Sequence, residues 1–147
     1  MDKKEYKKYV SEKMPKTKHV RNLVIAFVIG GIICTIGELI GDIALMINDS
    51  LSKETVGSII TIIMIFLGSL FTGIGIYDKL GAIAGAGSII PITGFANSVV
   101  SPAMEFNDEG LIFGVMSHMF AIAGPIIVSG TVASVAVGLI YLIFGLV

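Results

Sequence analysis

A chain of 147 residues that is 54% hydrophobic and only 14% charged, with a mean hydropathy of +0.92, is too apolar for a water-soluble domain. The net charge of -1 hides a polarity along the chain: eight of the ten Lys and Arg fall at or before Arg21, and no Asp, Glu, Lys or Arg follows Glu109. These features exclude a soluble enzyme and a nucleic-acid partner, and describe a polytopic membrane domain over residues 22–147 behind a basic, amphipathic, cytoplasmic-side segment over residues 1–21.

From Lys3 to Met14 the residues Tyr6, Tyr9, Val10 and Met14 recur at three and four, with Lys3, Lys4, Lys7 and Lys8 on the polar side. The spacing predicts a short amphipathic helix ending before Pro15. It reads either as a foot on anionic headgroups or as a solvated orientation signal. Such a basic block beside the first span keeps the N-terminus in the cytoplasm. The apolar stretch that follows exceeds the h-region of a signal peptide, roughly 7–15 residues, so an uncleaved anchor is expected.

A spanning helix needs about 20 apolar residues at about 1.5 Å each. Asn22 to Ile47, Thr55 to Tyr77 and Leu80 to Met104 approach that requirement, and the run after Glu109 is long enough for two passes, with Gly124, Pro125 and Gly130 offering a break. The polar turn Asn48 to Glu54 is then expected outside, and Tyr77, Asp78 and Lys79 inside. Cys34, the single cysteine, is read as packing.

The third segment differs in kind. Gly81, Gly85, Gly87, Pro91 and Gly94 interrupt it, and Ser88, Thr93, Asn97, Ser98 and Ser101 make its second half polar. Broken backbone at membrane depth must be satisfied by protein or by a water-filled cavity, so this segment should face the interior of an assembly. Proline favours the first turn of a helix, so a half-helix is expected from Pro91 with Thr93, Asn97 and Ser101 along one face. Its positive end, with free amides of Gly85 to Ser88, suits an anionic solute; the alternative is a kinked helix of small residues packed tightly. Pro102 should end it. The fold class expected is an all-α integral membrane protein with four to five membrane-embedded helices, the third segment broken or re-entrant.

Glu38 and Asp42 share a helix face, with Asp42 about 31 Å along the axis from Arg21 and hence near the outer interface. They are either carboxylates reaching water or a cation-attracting mouth, a role also open to Glu105 and Glu109; no metal site is firm and no cofactor is expected. His118 lies in the final apolar run and reads as a hydrogen-bonding residue of the bundle, because no HExxH, GxSxG or phosphate-binding fingerprint accompanies it. Small residues recur at four-residue spacing in Gly37/Gly41, Gly81/Gly85, Gly110/Gly114 and Gly130/Ser134/Gly138, for packing within one subunit or between subunits.

The stretches Gly30 to Gly37, Thr72 to Asp78, Gly85 to Gly87 and Pro91 to Asn97, with Ser101, Glu105, Glu109 and Gly110, resemble the stage V sporulation protein AC (SpoVAC) family and its shorter relative, stage V sporulation protein AE. Glu38 departs from the family pattern, which more often carries an uncharged amide there. The resemblance spans essentially the whole chain. It implies a protein of the inner forespore and spore membrane that moves dipicolinic acid with Ca²⁺, uptake during sporulation and release during germination, with tension-sensitive channel behaviour. It also implies an oligomer, homo- or hetero-, acting with other products of the stage V sporulation A operon, one of them a soluble dipicolinate-binding partner. A channel subunit is therefore the leading reading, a non-conducting scaffold that anchors that soluble partner the second, and an intramembrane enzyme a distant third.

Overall fold

The computed structural model describes residues 2–13 and 18–145, and every regular element among them is helical. The first, α1 (Lys3–Lys13), is the short helix that the periodicity predicts, and it presents Tyr6 and Tyr9 exposed with Val10 half-buried; Met14, Pro15 and Lys16 lie outside the described residues. Two long helices follow, α2 (His19–Ile47) and α3 (Lys53–Gly73). The turn between them is built by its polar residues. Asn48 Oδ1 accepts from the Ser50 amide at 3.1 Å, and Ser52 caps α3 by accepting from the Thr55 amide at 3.3 Å.

These two helices pack antiparallel through glycine. The side chain of Ile60 seats over Gly37 and Gly41, where added Cβ atoms would stand 3.6 and 2.9 Å from it, and Val56 lies beside Gly41. The Gly37/Gly41 pair thus serves contact within the chain. We call the end of the pair that carries His19 and Gly73 basal and the end that carries the Asn48–Ser52 turn distal.

At the basal end α3 closes on a glycine-dependent turn. Ile76 donates to the Phe71 carbonyl and Gly75 to that of Thr72, each at 3.0 Å, with Gly75 at φ +71°, the arrangement that satisfies the last carbonyls of a helix. Three short pieces follow, α4 (Tyr77–Ala84), α5 (Ala86–Ile89) and α6 (Ile92–Glu105), separated by Gly85 at φ +52° and by Pro91, which caps α6. The break expected from the glycines and Pro91 is therefore present, and α6 begins where Pro91 predicts. The Gly85 to Ser88 amides are less free than expected, because Gly85 N donates to the Gly81 carbonyl and Ser88 N to that of Gly85.

Two expectations about proline fail. Pro102 does not end α6, which runs on to Glu105, and Pro125 does not split the final run. After a 3₁₀ turn (Asn107–Glu109) and Gly110 at φ +93°, a π-helical stretch (Leu111–Met116) leads into α7 (Ser117–Ile143), giving one helical rod from Leu111 to Ile143. A proline inside a helix removes one hydrogen bond, whereas a reversal in hydrocarbon would expose several backbone groups, so a single passage is the cheaper solution. Neither Gly124 nor Gly130 adopts the positive φ found at the real turns. Three helices among the described residues are long and apolar enough to cross a membrane: His19–Ile47, Lys53–Gly73 and Leu111–Ile143.

The direction of α6 follows from its contacts. Gly68 of α3 meets Thr93, whose carbonyl oxygen would stand 2.9 Å from an added Cβ, and Thr72 meets Asn97, so the two helices run in the same sense and α6 heads for the basal end. The chain therefore climbs from the basal end through α4 and α5 and returns to it through α6.

The α5 piece lies backbone to backbone on α2. A Cβ at Gly87 would collide with the carbonyl and Cα of Ala26, and these are backbone atoms with no side chain able to yield. Gly87→Ala is expected to destabilise the protein by at least about 1–3 kcal/mol, while Gly130→Ala, where nothing lies within 4 Å, is neutral or slightly stabilising. The midpoint of SDS unfolding in mixed micelles checks both, and equal behaviour of the two variants contradicts the close approach.

Candidate functional site

The breaks in the third segment gather polar side chains where α3, α4, α5 and α6 meet. Tyr77, the first residue of α4, is only 4% exposed, and Ser88 is fully buried. The Tyr77 hydroxyl lies 2.7 Å from the Ser88 carbonyl and 2.8 Å from Thr93 Oγ1. A phenol has one hydrogen and a carbonyl only accepts, so Tyr77 donates to Ser88 and takes its second bond from the Thr93 hydroxyl.

One turn further along α6 a second pairing crosses to α3. Thr72 Oγ1 lies 2.7 Å from the Gly68 carbonyl and 2.9 Å from Asn97 Oδ1. The single hydroxyl hydrogen serves one of these oxygens. With Gly68 as its acceptor, the second contact becomes a hydrogen bond when the Asn97 carboxamide turns its Nδ2 towards Thr72. The remaining polar groups close locally: Ser88 Oγ donates to the Gly85 carbonyl at 3.1 Å and Ser98 Oγ to that of Phe95 at 2.8 Å. Among the described residues no buried side-chain nitrogen or oxygen lacks a partner.

Of the residues singled out from sequence, Ser88, Thr93 and Asn97 are brought together here, with Pro91 capping the helix that carries the last two. Ser98 bonds within its own helix, and Ser101 is half-buried further down it. Thr72 and Tyr77, which supply the partners, are not among the polar-site residues expected from sequence. Their signal was a threonine one turn after Gly68 on the face that also buries Met64, and a tyrosine opening the segment after a glycine-rich turn. Glycine again permits the approach, since a Cβ at Gly94 would strike the Ser88 and Ile89 carbonyls.

The four carboxylates are not one cluster. Glu38 and Asp42 line a distal crevice with Gly41, Leu51 and Lys53, so a cation stands among the same lining residues. Glu105 ends α6 and Glu109 follows it, beyond the basal reach of the Thr72–Asn97 contact. Among the described residues no group of three or more His, Cys, Asp or Glu is placed to hold a metal. His118 bonds within its own helical rod: its Nδ1 lies 2.8 Å from the Gly114 carbonyl, which requires the hydrogen on Nδ1, and its ring stacks on Phe106 with centroids 3.7 Å apart.

The chain matches the family described as SpoVAC/SpoVAEB sporulation membrane protein over residues 22–140. It is similar to stage V sporulation protein AC of Bacillus subtilis (strain 168), at 44% identity over 142 residues that make up 97% of this chain and 94% of that one. No solved structure matches it.

The Thr72–Asn97 pairing is testable by a double-mutant cycle. Thr72→Val and Asn97→Ala, singly and together, are expected to show a coupling of about 0.6 kcal/mol, the average for interhelical hydrogen bonds in membranes. Strict additivity of the SDS unfolding free energies would remove the bond from the account.

Proposed function

The chain belongs to the SpoVAC/SpoVAEB family of sporulation membrane proteins, and from that premise we propose that it is a subunit of a channel carrying dipicolinic acid with Ca²⁺ across the inner forespore and spore membrane, inward during sporulation and outward during germination. The observation that carries this reading is the polar row of Ser88, Thr93 and Asn97 set inside the helices by the breaks at Gly85 and Pro91. Dipicolinate is a rigid dianion that cannot dissolve in hydrocarbon, and a half-helix beginning within the bundle offers hydroxyls, a carboxamide and the positive end of a backbone dipole. Transport is passive, through a path that opens under membrane tension: the sequence carries no phosphate-binding loop, so the gradient or partners supply the drive.

In this reading the N-terminus lies on the core side, and α4 to α6 form a re-entrant hairpin that enters and leaves from that side. The support is the shared sense of α3 and α6, together with the basic block and Lys79 flanking the basal end. The carboxylates Glu38 and Asp42 then sit at the outer mouth and Glu105 and Glu109 at the inner, where they concentrate Ca²⁺. Several chains, alike or with other products of the stage V sporulation A operon, enclose the path, since one chain packs its polar row closed.

Proteoliposomes holding the full chain and loaded with Ca²⁺-dipicolinate are expected to release it on osmotic downshift. Absence of flux, alone and with the membrane partners, favours instead a scaffold that anchors a soluble dipicolinate-binding protein. The hairpin has its own test. In a Cys34→Ala background, a Glu105→Cys variant should react with an impermeant thiol reagent supplied from the N-terminal side only, and labelling from the opposite side replaces the hairpin with a full crossing.

A further inference from the structure

A path for an anion needs its hydrogen-bonding groups turned towards the solute, yet here they are spent on protein. Tyr77 occupies both the Ser88 carbonyl and the Thr93 hydroxyl, and Thr72 occupies Asn97. The eight-residue α4 that carries Tyr77 is bracketed by Gly75 and Gly85, both at positive φ, and side-chain hydrogen bonds from α4 to other elements run from Tyr77 alone among the described residues. Tyr77 is 4% exposed and Thr72 7%, so neither site is wetted in this arrangement.

We propose that Tyr77 is an autoinhibitory latch: its oxygen holds the Thr93 hydroxyl, the donor that an anionic solute oxygen would take, and α4 is the lever that withdraws it by rotation about Gly75 and Gly85. The inference rests on the channel reading above and adds its regulation. The chemistry of the latch suits reversible opening. Its bonds are neutral hydroxyl contacts, each of which contributes little net free energy because water or solute replaces them, so a modest force on α4 shifts the balance. Withdrawal frees the Thr93 hydroxyl as a donor to the anion and leaves the Ser88 carbonyl to accept from water, and the adjoining Thr72–Asn97 bond then faces the opened space. The two glycines bracket α4, and their φ values of +71° and +52° lie in a region that other residues resist.

The test uses the full chain in liposomes, with Cys34→Ala and Ser101→Cys so that a negatively charged thiosulfonate reports access to the polar row without any dipicolinate. Tyr77→Phe keeps the ring and deletes the two bonds. It is expected to raise the labelling rate about tenfold and the resting dipicolinate leak by a similar factor, the equivalent of two weak hydrogen bonds. Thr93→Val, which deletes one, should move labelling in the same direction by about threefold, and it decides the matter alone where Tyr77→Phe fails to insert. Labelling unchanged in the variants overturns the latch even when the parent chain conducts. Faster labelling with no dipicolinate flux from any of the proteins supports the latch and sinks the channel reading.

Discussion

Hydrocarbon supplies no hydrogen-bond partner, and this constraint shapes the irregular stretches between α3 and α6. Where α3 ends, the carbonyls of Phe71 and Thr72 are taken up by the amides of Ile76 and Gly75. Where α4 gives way to α5, the Gly85 carbonyl accepts from two amides and from the Ser88 hydroxyl. Where α5 gives way to α6, Tyr77 reaches across from another helix to take the Ser88 carbonyl. The polar side chains of the third segment are thus first of all the means by which a broken backbone can exist among apolar helices.

Close packing is the second requirement, and glycine meets it. The contacts of Gly37 and Gly41 with Ile60, of Gly68 with Thr93 and of Gly87 with Ala26 set helices nearer than side chains would allow. The buried interior accordingly holds few large residues, with alanines at positions 44, 84, 96 and 103 and single bulky anchors such as Met64 and Tyr77. Without a hydrophobic driving force between helices in lipid, such contact area and the few crossing hydrogen bonds are what hold the subunit together. The same interior serves stability and, in the proposed reading, the path.

The sequence made much of this legible because the signals were local. Gly85 and Pro91 announced the breaks, Pro91 the start of α6, and Gly37 with Gly41 a packing face. Contacts across the chain were harder to see. Thr72 meets Asn97 only because α6 runs parallel to α3, and nothing in the spacing of the third segment chose between a crossing and a return. Gly68 escaped because its four-residue neighbour is Thr72 and not another glycine. The prolines at 102 and 125 misled for a physical reason: the rule that proline ends helices was learned in water, where released carbonyls are solvated, and it weakens where they are not.

The unbroken helix from Leu111 to Ile143 has a mechanical consequence. Its 33 residues make a rod of about 50 Å, against about 30 Å for a hydrocarbon layer. Such a rod accommodates by tilting or by thickening the lipid around it, and its inclination follows bilayer thickness. One end is clamped, by Gly114 pressed on the Phe106 carbonyl and by the stacked rings of Phe106 and His118, while α7 buries no residue along its length. In the tension-gated reading proposed above, a thinner bilayer would tilt this rod further, and the tilt would be transmitted to Phe106, one residue beyond the end of α6.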